Sequence, residues 1–131
     1  MKILNHIYEQ ILSHALNELP LECCGYLAGK NNRVTKAYPV KNLDKTHDHF
    51  SFDVKEQFAA VVDMRNKGLN PVAVYHSHPE TPARPSKEDI RLAYDPDISY
   101  LIISLVNRQA PDIKSFKIRN SRVKEEEIII I

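Results

Sequence analysis

Two histidines two positions apart, His76 and His78, carry the strongest chemical signal in this 131-residue sequence. They end an apolar run, residues 71–75, whose shortness and valine content favour a buried strand over a helix. Side chains on a strand alternate between faces, so both imidazoles point to the same side and can chelate one metal ion. A catalytic zinc commonly takes three protein ligands at about 2.0–2.2 Å and keeps one position open for water, so a third donor must come from elsewhere. Asp89 is the best candidate. Pro79, Pro82 and Pro85 stiffen the connection that returns the chain, and Ser86 and Asp89, three apart, share one face of the short helix that follows. Two neutral imidazoles and a carboxylate suit zinc better than calcium or magnesium, which prefer oxygen, or copper(I), which prefers sulfur; iron(II) uses the same donor set.

Plainer readings compete. Ser86-x-x-Asp89 alone is a helix N-cap with an acidic third residue. His47-Asp48-His49 repeats the spacing in a polar segment with no buried strand to orient it, and reads as a solvated loop. His6 and His14, on the first helix, read as surface residues. Cys23 and Cys24 are adjacent, so a bridge between them would be strained and close no useful loop; a reduced compartment fits. On a strand they face opposite ways, which places at most one in the core. A cysteine peptidase using one histidine as base is the rival chemistry, and nothing identifiable in the sequence activates a thiol.

The elements that must position these residues follow from periodicity. Ile7, Ile11, Ala15 and Leu19 recur every fourth position, a helical stripe that Pro20 ends. Residues 22–29 and 33–41 read as a hairpin about Asn31-Asn32, residues 42–49 as a polar loop, and 50–52 as a short strand. Val54, Phe58, Val61 and Val62 restore helical spacing, with Gly68 where a helix C-terminus needs a left-handed residue. A short helix over residues 86–94 and strands over 100–106, 113–119 and 122–131 complete the chain. The four terminal isoleucines, Ile128 to Ile131, must be paired in the sheet or covered by a second copy, which brings a homodimer into the expectations.

With 43% hydrophobic and 27% charged residues, the chain has material for one core, and its length fits a single domain over residues 1–131. A net charge of +1 gives no broad positive field, so no nucleic-acid partner is expected. Lys2, Glu9 and Glu18 interrupt the first nineteen residues, which therefore lack the apolar stretch of a signal peptide or membrane span. The expected location is the cytoplasm, with no membrane partner.

His76-Ser77-His78-Pro79, followed by Ser86 and Asp89, resembles the signature of the JAMM metalloprotease family, also called MPN-plus domains. That signature is H-(S/T)-H-P, with Ser after seven residues counted from the second His and Asp after two more, and each position matches. The family's upstream glutamate corresponds to Glu22 in Pro20-Leu21-Glu22-Cys23-Cys24-Gly25. The similarity runs from the first helix to about Val106.

The resemblance implies an α+β, three-layer αβα-like fold: a mixed, mainly antiparallel curved sheet flanked by helices, in the cytidine-deaminase-like architecture. It implies one zinc ion per chain on His76, His78 and Asp89, Glu22 as general base, and Ser86 as hydrogen-bond donor to the oxyanion. The chain has little room for the insertions of eukaryotic deubiquitinating members and resembles the compact stand-alone prokaryotic type. Their substrate is a ubiquitin-like sulfur-carrier protein or its conjugate, cut at a peptide or isopeptide bond beside the C-terminal Gly-Gly. Such a tail could add as a strand to an exposed sheet edge. The alternative is a catalytically silent scaffold, as in family members that have lost the ligands, all of which are present here.

Overall fold

The computed structural model describes residues 1–44 and 48–131. The helical stripe forms α1 (Asn5–Glu18), preceded by the short β1 (Lys2–Ile3), and Ile7, Ile11 and Ala15 are its buried positions. Next come β2 (Cys24–Lys30) and β3 (Arg33–Val40), joined by Asn31 and Asn32 at φ 53° and 63°. Two successive left-handed residues give the turn the right-handed twist of its strands, and asparagine tolerates that conformation.

Helix α2 (Val54–Asn66) starts at Asp53, whose side chain accepts hydrogen bonds from the Lys55 and Glu56 amides, and ends before Gly68 at φ +66°. The histidines lie inside β4 (Asn70–His78). Then follow α3 (Lys87–Arg91), β5 (Ser99–Ser104), β6 (Asp112–Arg119), β7 (Arg122–Glu126) and β8 (Ile129–Ile130). No helix among the described residues is long and apolar enough to cross a membrane.

The sheet runs β7-β6-β5-β4-β2-β3-β1-β8. Pairs β7–β6, β6–β5, β4–β2 and β2–β3 are antiparallel, while β5–β4, β3–β1 and β1–β8 are parallel. Residues 122–131 therefore form two strands, which occupy opposite edges although only Glu127 and Ile128 separate them. The sheet must curl until its edges approach, and the Met1 ammonium donates to the Glu127 carbonyl at 3.0 Å across the join. Pairing within the chain accounts for Ile129 and Ile130, which stay partly exposed on the outer edge.

The pleat divides the sheet into two faces. Ile7, Ile11 and Ala15 of α1 pack with Cys23, Leu27, Val34, Tyr75, Leu101 and Ile103 on one face. On the other, α2 seats Ala60 and Met64 on Ala28, and Ile90 of α3 packs against Ile102, Phe116 and Ile118. Both cysteines are buried, which corrects the expectation of at most one in the core. They do face opposite ways, but here both faces are covered: Cys23 joins the α1 core, and the Cys24 thiol donates to the Val40 carbonyl. His14 is half-buried rather than fully exposed: its Nδ1 lies 2.8 Å from the Tyr75 hydroxyl, and burial lowers its pKa. His6 is exposed.

Candidate metal centre

His76 and His78 leave β4 on the face opposite Tyr75, and α3 brings Asp89 to them. Nε2 of His76 lies 3.1 Å from Nε2 of His78, and Asp89 Oδ2 is 3.2 Å and 3.1 Å from the two nitrogens. Ligands about 2.0–2.1 Å from a tetrahedral ion are themselves ~3.3 Å apart, close to this spacing. The donor chemistry fits as well. Nδ1–H of His78 donates to the Pro82 carbonyl at 2.9 Å, which fixes the tautomer and turns the Nε2 lone pair toward Asp89 and His76. Three electron-pair donors facing one point have too few protons among them to satisfy each other, whereas a cation satisfies all three. Among the described residues these are the group arranged to hold a metal ion.

Electrostatics agree with that geometry. Burial lowers the pKa of His76, keeping its ring neutral. Burial opposes charge on Asp89 too, but the close approach of His76, His78 and the Ser86 amide holds its carboxyl far below the usual range. Ser86 caps α3 in a full capping box: Ser86 N–H donates to Asp89 Oδ2 at 2.9 Å, and Asp89 N–H donates to Ser86 Oγ at 3.0 Å. The cap and the cluster thus use the same aspartate. Since Ser86 Oγ accepts in that bond, its O–H remains available to donate into the cleft.

Glu22 belongs to the same row. Cys24 pairs with His76, and carrying this register back two residues sets Glu22 opposite His78. The strand ends are clamped there, with Cys23 N–H donating to Ser77 Oγ at 2.8 Å and Ser77 N–H to the Cys23 carbonyl at 3.1 Å. Glu22 is 4% exposed and lines the cleft. Burial raises its pKa to about 8; His78 opposes the rise, while Asp89, Asp48 and Glu88 add to it.

The cleft measures about 1020 Å³. Its floor is the sheet face of Tyr26, Val74, His76, Tyr100 and Ile102, with α2 on one side and Leu92 and Tyr94 on the other. The strand bearing the histidines is paired on both sides, so no sheet edge is open at the site.

Periodicity missed part of this surrounding. Phe50 stacks on the His76 ring at 4.7 Å, and His49 Nδ1 lies 3.0 Å from a Glu88 carboxylate oxygen, so His49 is tied to α3 rather than merely solvated. His47 lies outside the described residues. The sequence marks His49 and Phe50 only as parts of a polar loop and a short strand, because their place at the site depends on the chain folding back across the sheet. The thiols are unsuited to nucleophilic work, since burial pushes Cys23 up to about 12 and Cys24 higher.

Comparison with known proteins places these residues in context. A family model described as prokaryotic homologues of the JAB domain matches residues 4–119. The CysO-cysteine peptidase of Mycobacterium tuberculosis is 31% identical over 123 residues, covering 92% of this chain and 84% of that protein. The desampylase of Haloferax volcanii is 36% identical over 103 residues, covering 73% of this chain and 74% of that protein. Among solved structures, a protein of Desulfitobacterium hafniense determined in solution superposes with a TM-score of 0.91 at 49% identity, covering 100% of this chain and 93% of that one. A JAB1/MPN domain protein from Archaeoglobus fulgidus shares the fold, with a TM-score of 0.65 at 20% identity over 100% of this chain and 99% of that one.

Proposed function

The chain belongs to the family of prokaryotic homologues of the JAB domain, and from this membership and the cleft we infer that it is a zinc-dependent peptidase or isopeptidase acting at the C-terminal Gly-Gly of a ubiquitin-like sulfur-carrier protein or its conjugate. The observation that carries the reading is the convergence of His76, His78 and Asp89 within 3.2 Å of one another at the end of a long trough. His76, His78 and Asp89 would hold the ion. Zinc, when bound, supplies a Lewis acid that polarises a carbonyl and makes hydroxide available near neutral pH.

Glu22 acts as general base and then as general acid, taking a proton on its carboxylate and returning it to the departing amine. Burial favours the protonated carboxyl that returns the proton, and a cation beside it would lower the pKa and favour the ionised form that takes the proton up. Ser86 donates its hydroxyl hydrogen to the oxyanion as the tetrahedral intermediate forms. The trough orients an extended tail: from Asn70 to His76 its floor spans roughly 20 Å at ~3.3 Å per residue, room for about six residues.

The names of the relatives support the substrate class, one being a peptidase of CysO-cysteine and another a desampylase. Residues 1–131 read as one domain, in keeping with the continuous sheet, and the free thiols of Cys23 and Cys24 suit the cytoplasm.

The test is a carrier bearing a residue beyond its Gly-Gly, followed by mass spectrometry beside elemental analysis of the protein. Glu22→Gln should keep zinc and lose cleavage, whereas His78→Ala should lose both. Bound zinc with no cleavage of any such carrier would point instead to a scaffold.

A further inference from the structure

Asn42 follows β3 and is buried, and every hydrogen-bonding position of its amide is used. Its Nδ2 donates to the Glu22 carbonyl at 3.0 Å and to the His49 carbonyl at 3.1 Å. Its Oδ1 accepts from the Asp44 and Ser51 amides, each at 3.0 Å. Two donors and two lone pairs exhaust what a carboxamide offers. Carrying the Cys24–Val40 register back two residues sets Asn42 beside Glu22, on the side away from His78. His78, Glu22 and Asn42 therefore form one row across the sheet end.

The returning chain is laid along the same strand end, with Leu43 N–H donating to the Ser51 carbonyl at 2.8 Å and Asp53 N–H to the Lys41 carbonyl at 3.0 Å. That return carries Phe50 onto the His76 ring. We propose that Asn42 is a positioning residue for hydrolysis, because a single amide fixes both the backbone beneath Glu22 and the segment that lays Phe50 against His76.

The physical reason is leverage. The Glu22 carboxylate stands at the end of three rotatable bonds, so a small tilt of its backbone displaces the oxygens by much more. A misplacement of about 1 Å can cost ~100-fold in rate. On the β4 side the Cys23–Ser77 bonds hold this backbone; on the other side Asn42 holds it.

The inference rests on Glu22 being the general base, so Glu22→Gln is measured in parallel. Asn42→Ala removes all four bonds without adding charge. Asn42→Asp keeps the volume and the oxygen that accepts from Asp44 and Ser51, but sets a second carboxylate oxygen where Nδ2 donated to the Glu22 and His49 carbonyls. Amide hydrogen exchange of the metal-free proteins checks this division: Asp44 and Ser51 should exchange faster in Asn42→Ala and be unchanged in Asn42→Asp.

With a ubiquitin-like sulfur carrier extended by one residue after Gly-Gly, both Asn42 variants should lose about 10–100-fold in kcat, with KM within about twofold and wild-type zinc content. Wild-type kcat in Asn42→Asp beside an inactive Glu22→Gln overturns this inference alone. A rise in KM at unchanged kcat, or activity lost in proportion to zinc, overturns it too. If Asn42→Ala does not fold, Asn42→Asp carries the test, and failure of both to fold makes Asn42 a scaffold residue and ends the proposal. Full activity in Glu22→Gln removes the reading of the site, and this inference with it.

Discussion

The two faces of β4 differ in almost every physical respect. Tyr75 and Ser77 point to the α1 side, where both are fully buried and Tyr75 joins the apolar cluster of Ile7, Ile11 and Leu101. Val74, His76 and His78 point to the other side, where Val74 and His76 line an open trough. There α2 is held by only two buried side chains, Ala60 and Met64, with polar ties from Tyr38 to Asp63 at 2.5 Å and from Gln57 to Tyr26 at 2.8 Å. Its apolar stripe faces outward, with Val54 71% and Phe58 70% exposed. The pleat thus lets one strand anchor the fold on one side and present ligands on the other, and substitutions on the two sides should change different quantities.

The largest stability effect belongs to the α1 face. Ile11→Ala should cost about 2–5 kcal/mol in urea unfolding, since the site is fully enclosed, while kcat of the folded fraction stays near wild type. Ser86→Ala gives the converse on the cleft face: kcat should fall by ~2.7–4 kcal/mol in activation free energy. Loss of its cap should cost only ~1 kcal/mol of stability. A stability loss in Ser86→Ala as large as that of Ile11→Ala, with kcat intact, would abolish the contrast.

A smaller effect tests the cleft without metal. Because burial raises Glu22 from 4.5 to about 8, the folded metal-free chain holds that proton more tightly than the unfolded one. The stability it supplies is full below about pH 4.5 and is lost as pH rises through about 8. Metal-free wild type should lose urea stability relative to Glu22→Gln as pH rises through this window, while groups common to both cancel. A constant difference would place Glu22 in water. The smallest effect is that of Phe58→Ser, within about 0.5 kcal/mol, because so little of this side chain leaves water on folding.

Much of the site's frame was legible where the signal was local. The two-residue period of His76 and His78, the proline-rich return to Asp89, the paired asparagines of the hairpin and Gly68 each state a backbone requirement within a few residues. Glu22 was not accessible to spacing and needed the family resemblance, because its place opposite His78 comes from strand register. Asn42 and Phe50 depend on a chain that returns over the sheet end, and no periodicity records that. The division of residues 122–131 between opposite sheet edges escaped for the same reason: alternation marks a strand but not its neighbour. The stripe on α2 misleads if read as a core face, since helical spacing of apolar residues does not say which face the sheet will take.

The approach of the two sheet edges has a kinetic side. β1 precedes the other strands in the sequence, yet its partners are β3 and β8, and β8 follows every other strand. A growing chain can complete the β2–β3 hairpin early, but it leaves β1 half-paired until the final isoleucines emerge. Closure over so long a loop is entropically slow, so the last event in maturation should be this long-range zipping, in the millisecond-to-second range of non-local topologies.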